Sequence, residues 1–223
     1  MKKNIIIVFS VLFIIIILIY LFLRLYDYRS EQEQIVSKYT LSEKEISLLK
    51  EGDIILRHGY GFVSDMIVET MNDSIGLSHC AILTKDKKGK WMIVHSVSST
   101  LTDIDGVQSQ FLSPFINDSK KNSVVVVRFK NAKNDSALAC IGKRAKYYLK
   151  KQIPFDESFN MKDSTELFCS EFIWKVFQDE FKTDIFESKD KKEHYDYMKF
   201  DCFLDTTNFE IIIDHRTRLP KKN

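Results

Sequence analysis

Residues Ile5 to Leu23 form an unbroken run of nineteen residues with no charge, made mostly of Ile, Leu, Val and Phe. A run of that length must satisfy its backbone internally if it meets lipid, which makes it a helix. At ~1.5 Å per residue it spans roughly 28 Å, about the thickness of a hydrocarbon core. A cleavable signal peptide would have a shorter apolar region and a small-x-small site. Ile19 to Tyr28 contains no Ala or Gly, and no cysteine is available there for lipid attachment. The run therefore reads as an uncleaved signal anchor. Lys2 and Lys3 favour a cytoplasmic N-terminus, with Arg24 and Arg29 weakening the bias. The expectation is a single-pass protein of the cytoplasmic membrane whose remaining chain lies outside the cytoplasm.

The rest divides in order. Residues 1–4 are a short flank, 5–23 the anchor and 24–50 a polar juxtamembrane linker. Residues 51–215 form one domain and 216–223 a basic tail. In the linker, Ser42 followed by Glu45 makes a capping box ahead of Ile46, Leu48 and Leu49. With 33 basic and 31 acidic residues the chain has no cationic excess that would indicate nucleic acid. Cys80, Cys140, Cys169 and Cys202 show no C-x-x-C spacing, so neither a zinc knuckle nor a disulfide framework is indicated. A Cys140 to Cys202 disulfide is left open.

Asp53 to His58 predicts a first strand, and Gly59-Tyr60-Gly61 a turn into a helix over Phe62 to Met71. Leu77 to Thr84 and Trp91 to Val97 predict a hairpin around the polar tip Lys85 to Lys90. With Lys85 opposite Gly89, His79 would stand directly across from His95, their Cβ atoms about 4.5 to 5.5 Å apart. Thr102 to Val107 reads as extended, Phe111 to Ile116 as a short helix and Val124 to Phe129 as a buried strand. Asp135 to Lys150 reads as a helix with Ala137, Ile141, Ala145 and Tyr148 inward. Phe209 to Ile213 reads as a closing strand.

Chemistry concentrates at two motifs. One is Leu77-Ser78-His79-Cys80-Ala81-Ile82-Leu83. The other is Phe168-Cys169-Ser170-Glu171-Phe172-Ile173-Trp174, which opens an amphipathic helix with Phe172, Ile173, Val176, Phe177 and Phe181 on its inner stripe and Glu171 outside it. A thiol attacks an amide or ester as thiolate, so it needs an imidazole and benefits from the positive end of a helix. Cys169 alone would more often be a buried structural thiol, and His79 alone a satisfied core histidine; paired, they read as nucleophile and base. His95 either orients His79 or merely lines the hairpin. Cys80 points to the other sheet face. A zinc site from His58, His79, His95 and Cys80 lacks the close ligand spacing such sites use. Asp53, Asp156 and Ser170 flank these motifs as candidate substrate contacts, with turn capping the plainer reading of the two aspartates.

Glu51-Gly52-Asp53-Ile54-Ile55-Leu56, Ser78-His79-Cys80-Ala81-Ile82, Ile153-Pro154-Phe155-Asp156 and the Cys169 segment occur in that order. Together they resemble the permuted papain-like amidases of the YiiX/YaeF type, a circularly permuted branch of the NlpC/P60 superfamily, over roughly residues 51 to 182. The resemblance implies an α+β fold, with an antiparallel sheet packed with helices behind the N-terminal transmembrane helix. It also implies a cysteine hydrolase acting on amide or ester bonds without a cofactor. Cys169 matches the nucleophile, His79 the base and His95 the third position. That third position departs from the pattern, since permuted members often carry glutamate there. The expected substrate is a cell-envelope peptide or acyl amide. A lipid-modifying acyltransferase of the lecithin:retinol acyltransferase-like type and an inactive anchored binding module are the alternatives.

Overall fold

The computed structural model describes residues 2–70, 75–162, 165–188 and 193–216. The expected tail over 216–223 lies outside them beyond Arg216, as does Met71 at the end of the expected helix. The apolar run sits inside one long helix, α1 (Lys2–Ser37). Its apolar side chains are exposed, and by length and composition it is able to cross a membrane. A short helix α2 (Glu43–Leu48) follows, opened by the expected capping box: Ser42 Oγ accepts from Glu45 N–H and Glu45 Oε2 from Ser42 N–H.

The juxtamembrane segment is not a loose tether. Helix α1 continues past the apolar run for more than three turns and docks on the strand β1 (Ile54–Arg57) to helix α3 (Phe62–Thr70) connection. Gly61 N–H donates to Ser30 Oγ at 2.7 Å and Phe62 N–H to Asp27 Oδ1 at 3.0 Å. Tyr26 donates to Asp65 at 2.6 Å and Gln34 to Asp118 at 2.7 Å. Positions 27, 30 and 34 lie three or four residues apart, so they share one helix face.

A six-stranded antiparallel sheet carries the rest. It adds β2 (His79–Lys85), β3 (Trp91–Val97), β4 (Gly106–Phe111), β5 (Val125–Phe129) and β8 (Phe209–Asp214), in the order β4-β3-β2-β1-β5-β8. Two short strands, β6 (Glu187–Ser188) and β7 (Glu193–His194), pair separately. The sheet begins β4 at Gly106, later than the 102–107 segment expected, because residues 101–104 form turns and bends.

Alternation along the strands gives each face its own core. Ile54, Leu56, Cys80, Ile82, Val94, Val125 and Val127 face α5 (Asp135–Lys151) and α6 (Cys169–Phe181) through Ile141, Ala145, Phe172, Ile173, Val176 and Phe177. Ile55, Ala81, Leu83, Ile93 and Val126 face Tyr39, Leu41, Leu49 and the helix α4 (Leu112–Asn117). All four cysteines are free thiols.

The hairpin register differs from expectation by two residues: Lys85 pairs with Trp91 and Ile82 with Val94. The loop is Asp86 to Lys90, held by Asp86 Oδ1, which accepts from Lys88 N–H and Lys90 N–H at 2.8 Å each. Continuing that register places Ala81 rather than His79 opposite His95. A shift of two preserves the face of every side chain, whereas a shift of one would have reversed it.

Candidate active site

His79 opens β2 paired with Arg57 of β1. The β2–β3 ladder starts only at Ile82↔Val94, while nearly all of β3 pairs with β4, from Met92↔Phe111 to Val97↔Gly106. The two strands thus fork at residues His79 to Ala81. The start of α6 is tied to the fork: Ser96 Oγ donates to Leu167 O at 2.5 Å, and Leu167 N–H donates to Pro154 O at 2.9 Å.

His79 and His95 meet as diagonal neighbours across the fork. His79 Nε2 and His95 Nδ1 are 2.8 Å apart, with ring centroids at 5.1 Å. Diagonal pairs lie within reach of aromatic side chains. Both rings pack near Phe115, and the Arg57 guanidinium lies 4.2 Å from the Phe115 ring centroid while donating to Phe115 O at 2.8 Å. Burial, then the neighbouring His95 and Arg57, push the His79 imidazole well below the ordinary histidine range. Burial and Arg57 bring His95 down to about 3. Both rings are therefore neutral at neutral pH.

Cys169 is the first residue of α6, half-buried, and packs on the Cys80 side of the sheet. The Cys80 thiol beside it lowers the Cys169 pKa. Burial opposes this, and the backbone N–H groups of Ser170, Cys80 and Cys169 itself add to the lowering. Cys80, buried in the core, is pushed well above the ordinary thiol value. Of the two sulfurs, Cys169 is the more readily ionised. No hydrogen bond joins Cys169 to His79 among the described residues: the imidazole is bonded to His95, and the thiol lies against Cys80, the next residue along β2.

The three candidate substrate contacts are committed to the fold. Asp53 is fully buried, with Oδ1 and Oδ2 each 2.7 Å from Arg128 nitrogens. Asp156 accepts from Ser158 N–H at 2.7 Å and Asn160 N–H at 2.6 Å, closing its own turn. Ser170 Oγ donates to Tyr197 O at 2.6 Å. Glu171, expected on the outer face, is buried. Its carboxylate accepts from Phe168 N–H at 3.3 Å, which satisfies a free donor of the helix start.

Sequence reasoning missed Arg57, Phe115 and the acidic face of α1. The pairing of Arg57 with His79 was implicit in an antiparallel β1–β2 arrangement. The other two need tertiary contacts. Arg57 and the α1 face line a cavity of about 540 Å³ with His79 and His95 on its wall.

A family model described as permuted papain-like amidase enzyme, YaeF/YiiX, C92 family, matches residues 48–199, roughly two thirds of the chain. Among solved structures, the crystal structure of the metalloprotein yiiX from Escherichia coli O157:H7 aligns with a TM-score of 0.59 at 19% identity. The alignment covers 75% of this chain and 98% of that one. No curated protein matches the chain. The word metalloprotein applies to that Escherichia coli protein. In this chain, among the described residues, no group of three or more His, Cys, Asp or Glu side chains is arranged to hold a metal ion. The Arg57 cation beside the histidine pair also opposes one there.

Proposed function

Since the chain belongs to the permuted papain-like amidase family, we propose that it is a membrane-anchored cysteine hydrolase cleaving amide or ester bonds of envelope molecules. Its nucleophile would be Cys169, its base His79 and its orienting residue His95. The observation that carries this reading is the ionisable thiol of Cys169 at a helix start, against the strand residue adjoining a neutral histidine.

In this mechanism His79 donates its Nε2 proton to the hydrogen bond with His95 Nδ1, leaving Nδ1 to take the thiol proton. Cys169 lies against Cys80, the residue next to His79 on β2, and the mechanism requires thiol and imidazole to meet at the fork. The thiolate attacks the carbonyl, and backbone N–H groups at the start of α6 hold the oxyanion. His79 then protonates the leaving amine or alcohol, and water releases the acyl group as a free acid. Helix α1 fixes the enzyme at a cytoplasmic membrane with the catalytic domain outside the cytoplasm.

The full chain, reconstituted in lipid discs, is to be incubated with peptidoglycan stem peptides and acyl lipids under mass detection. The expected result is a free acid product that the Cys169→Ala protein does not release. Undiminished product from that variant would overturn the reading.

A further inference from the structure

The cavity beside the histidine pair is built jointly by the domain and by helix α1. Its wall includes Asp27 and Glu31 of α1, Asp118 beyond α4, and Arg57, His79 and His95 of the sheet. Three carboxylates thus line the cavity against one guanidinium, and both histidines are neutral. The opposite polarity sits deeper. Among the described residues His95 Nε2 and Arg57 Nε are buried nitrogens without a hydrogen-bond partner, and His95 is 1% exposed. With His79 donating to His95 Nδ1, the His95 proton resides on Nε2. Both orphaned groups are then donors, and buried donors require acceptors.

A ligand that answers both features carries an acceptor group, phosphate or carboxylate, inward and an ammonium outward. Position on α1 indicates where such a ligand comes from. Asp27 and Glu31 follow the apolar run by four and eight residues, about 6 and 12 Å along a helix axis. The interfacial layer on each side of a bilayer is about 5 to 8 Å deep. Asp27 therefore stands at the headgroup level of the membrane that α1 is proposed to span, and Glu31 about one turn beyond it.

We propose that this cavity binds the zwitterionic headgroup of an amphiphile resident in the same membrane, its anionic group on His95 and Arg57 and its ammonium at Glu31 and Asp27. This deepens the proposed function by naming the substrate headgroup, and it rests on the anchored reading given there. Glu31 is exposed and makes no hydrogen bond or ion pair among the described residues, so it is free to meet the ammonium.

The test uses the full chain in phosphatidylglycerol discs, following the ring resonances of His79 and His95. Phosphatidylethanolamine is titrated into the discs in one arm and soluble glycerophosphoethanolamine is added in the other. The lipid is expected to shift both rings at a few mole per cent, at a bulk concentration at least about tenfold below that needed for the free headgroup. Glu31→Gln should raise the required mole fraction about fivefold, the scale of one exposed charge pair. Rings unmoved by either compound would overturn the site, and equal potency of the two would overturn its membrane source. An unchanged titration in Glu31→Gln would overturn the ammonium contact. Binding without any hydrolysis would sink the proposed catalysis and leave this site standing.

Discussion

Cys169 and Cys80 are the same chemical group in two settings, and the difference underlies the proposal of Cys169 as nucleophile. Cys80 sits on a strand among Ile54, Ile82 and Phe172 and is held protonated, whereas Cys169 lies at a helix start among backbone N–H donors. His79→Ala is expected to lower kcat by about 10² to 10⁴, the usual contribution of a positioned acid-base group, on whichever amide or ester the parent cleaves. His95→Gln, which keeps an acceptor toward His79, should stay within about tenfold of the parent, while His95→Ala should fall about a hundredfold. Equal losses in the two His95 variants would deny it an orienting role. The places of Cys169 at a helix start and His79 at a strand start were legible, because such starts leave marks in sequence. The bonding of Asp53 and Ser170 was not, because their partners Arg128 and Tyr197 come from other segments, whereas Asp156 closes its own turn as its plainer reading expected.

Among the elements, the fork between β2 and β3 does the positioning, and the connections on either side hold it open. Gly106 starts β4 at φ +74°, and a Cβ there would meet Ile153 O at 2.0 Å. That same carbonyl accepts from Val107 N–H at 2.8 Å, joining β4 to the segment that leads toward Cys169. Gly106→Ala should therefore cost about 2 kcal/mol or more in urea unfolding, more than glycine freedom alone accounts for. Asp53→Asn leaves Arg128 without its counter-charge and should cost about 2 to 3 kcal/mol, given that Asp53 is fully buried while Arg128 retains some solvent. Strands, helices and their inner faces followed from periodicity. The hairpin register did not, because it depends on Asp86 Oδ1 closing a five-residue loop, and a polar tip of lysines gives no sign of where the pairing stops.

For the whole molecule, the notable departure from the sequence reading is the continuation of α1 onto the domain. The apolar run announces a helix by composition, but the 27, 30, 34 face becomes a docking surface only once Gly61, Phe62 and Asp118 are in place. Partly and fully buried histidines also give the fold a pH response. Burial holds His58, His79 and His95 below the ordinary value, so the unfolded chain binds more protons below about pH 6.5. Stability is complete above that pH and declines as pH falls, by up to about 1.4 kcal/mol per pH unit for each histidine. Glu45 and Asp205, both held at about 2, add to the loss only below about pH 4.5. Urea midpoints should fall between pH 6.5 and 4.5, and less steeply in His95→Gln; a flat profile would contradict neutral burial of the pair.

The claim on which the rest depends is that Cys169 is the activated thiol of this chain. Its most direct measurement is the pH dependence of alkylation by iodoacetamide in the full chain, resolved by mass for all four cysteines. Cys169 should react first, with a midpoint below that of an ordinary thiol and ahead of Cys140, while Cys80 and Cys202 stay protected. Reaction of Cys169 no faster than Cys140, or after Cys80, would contradict the account.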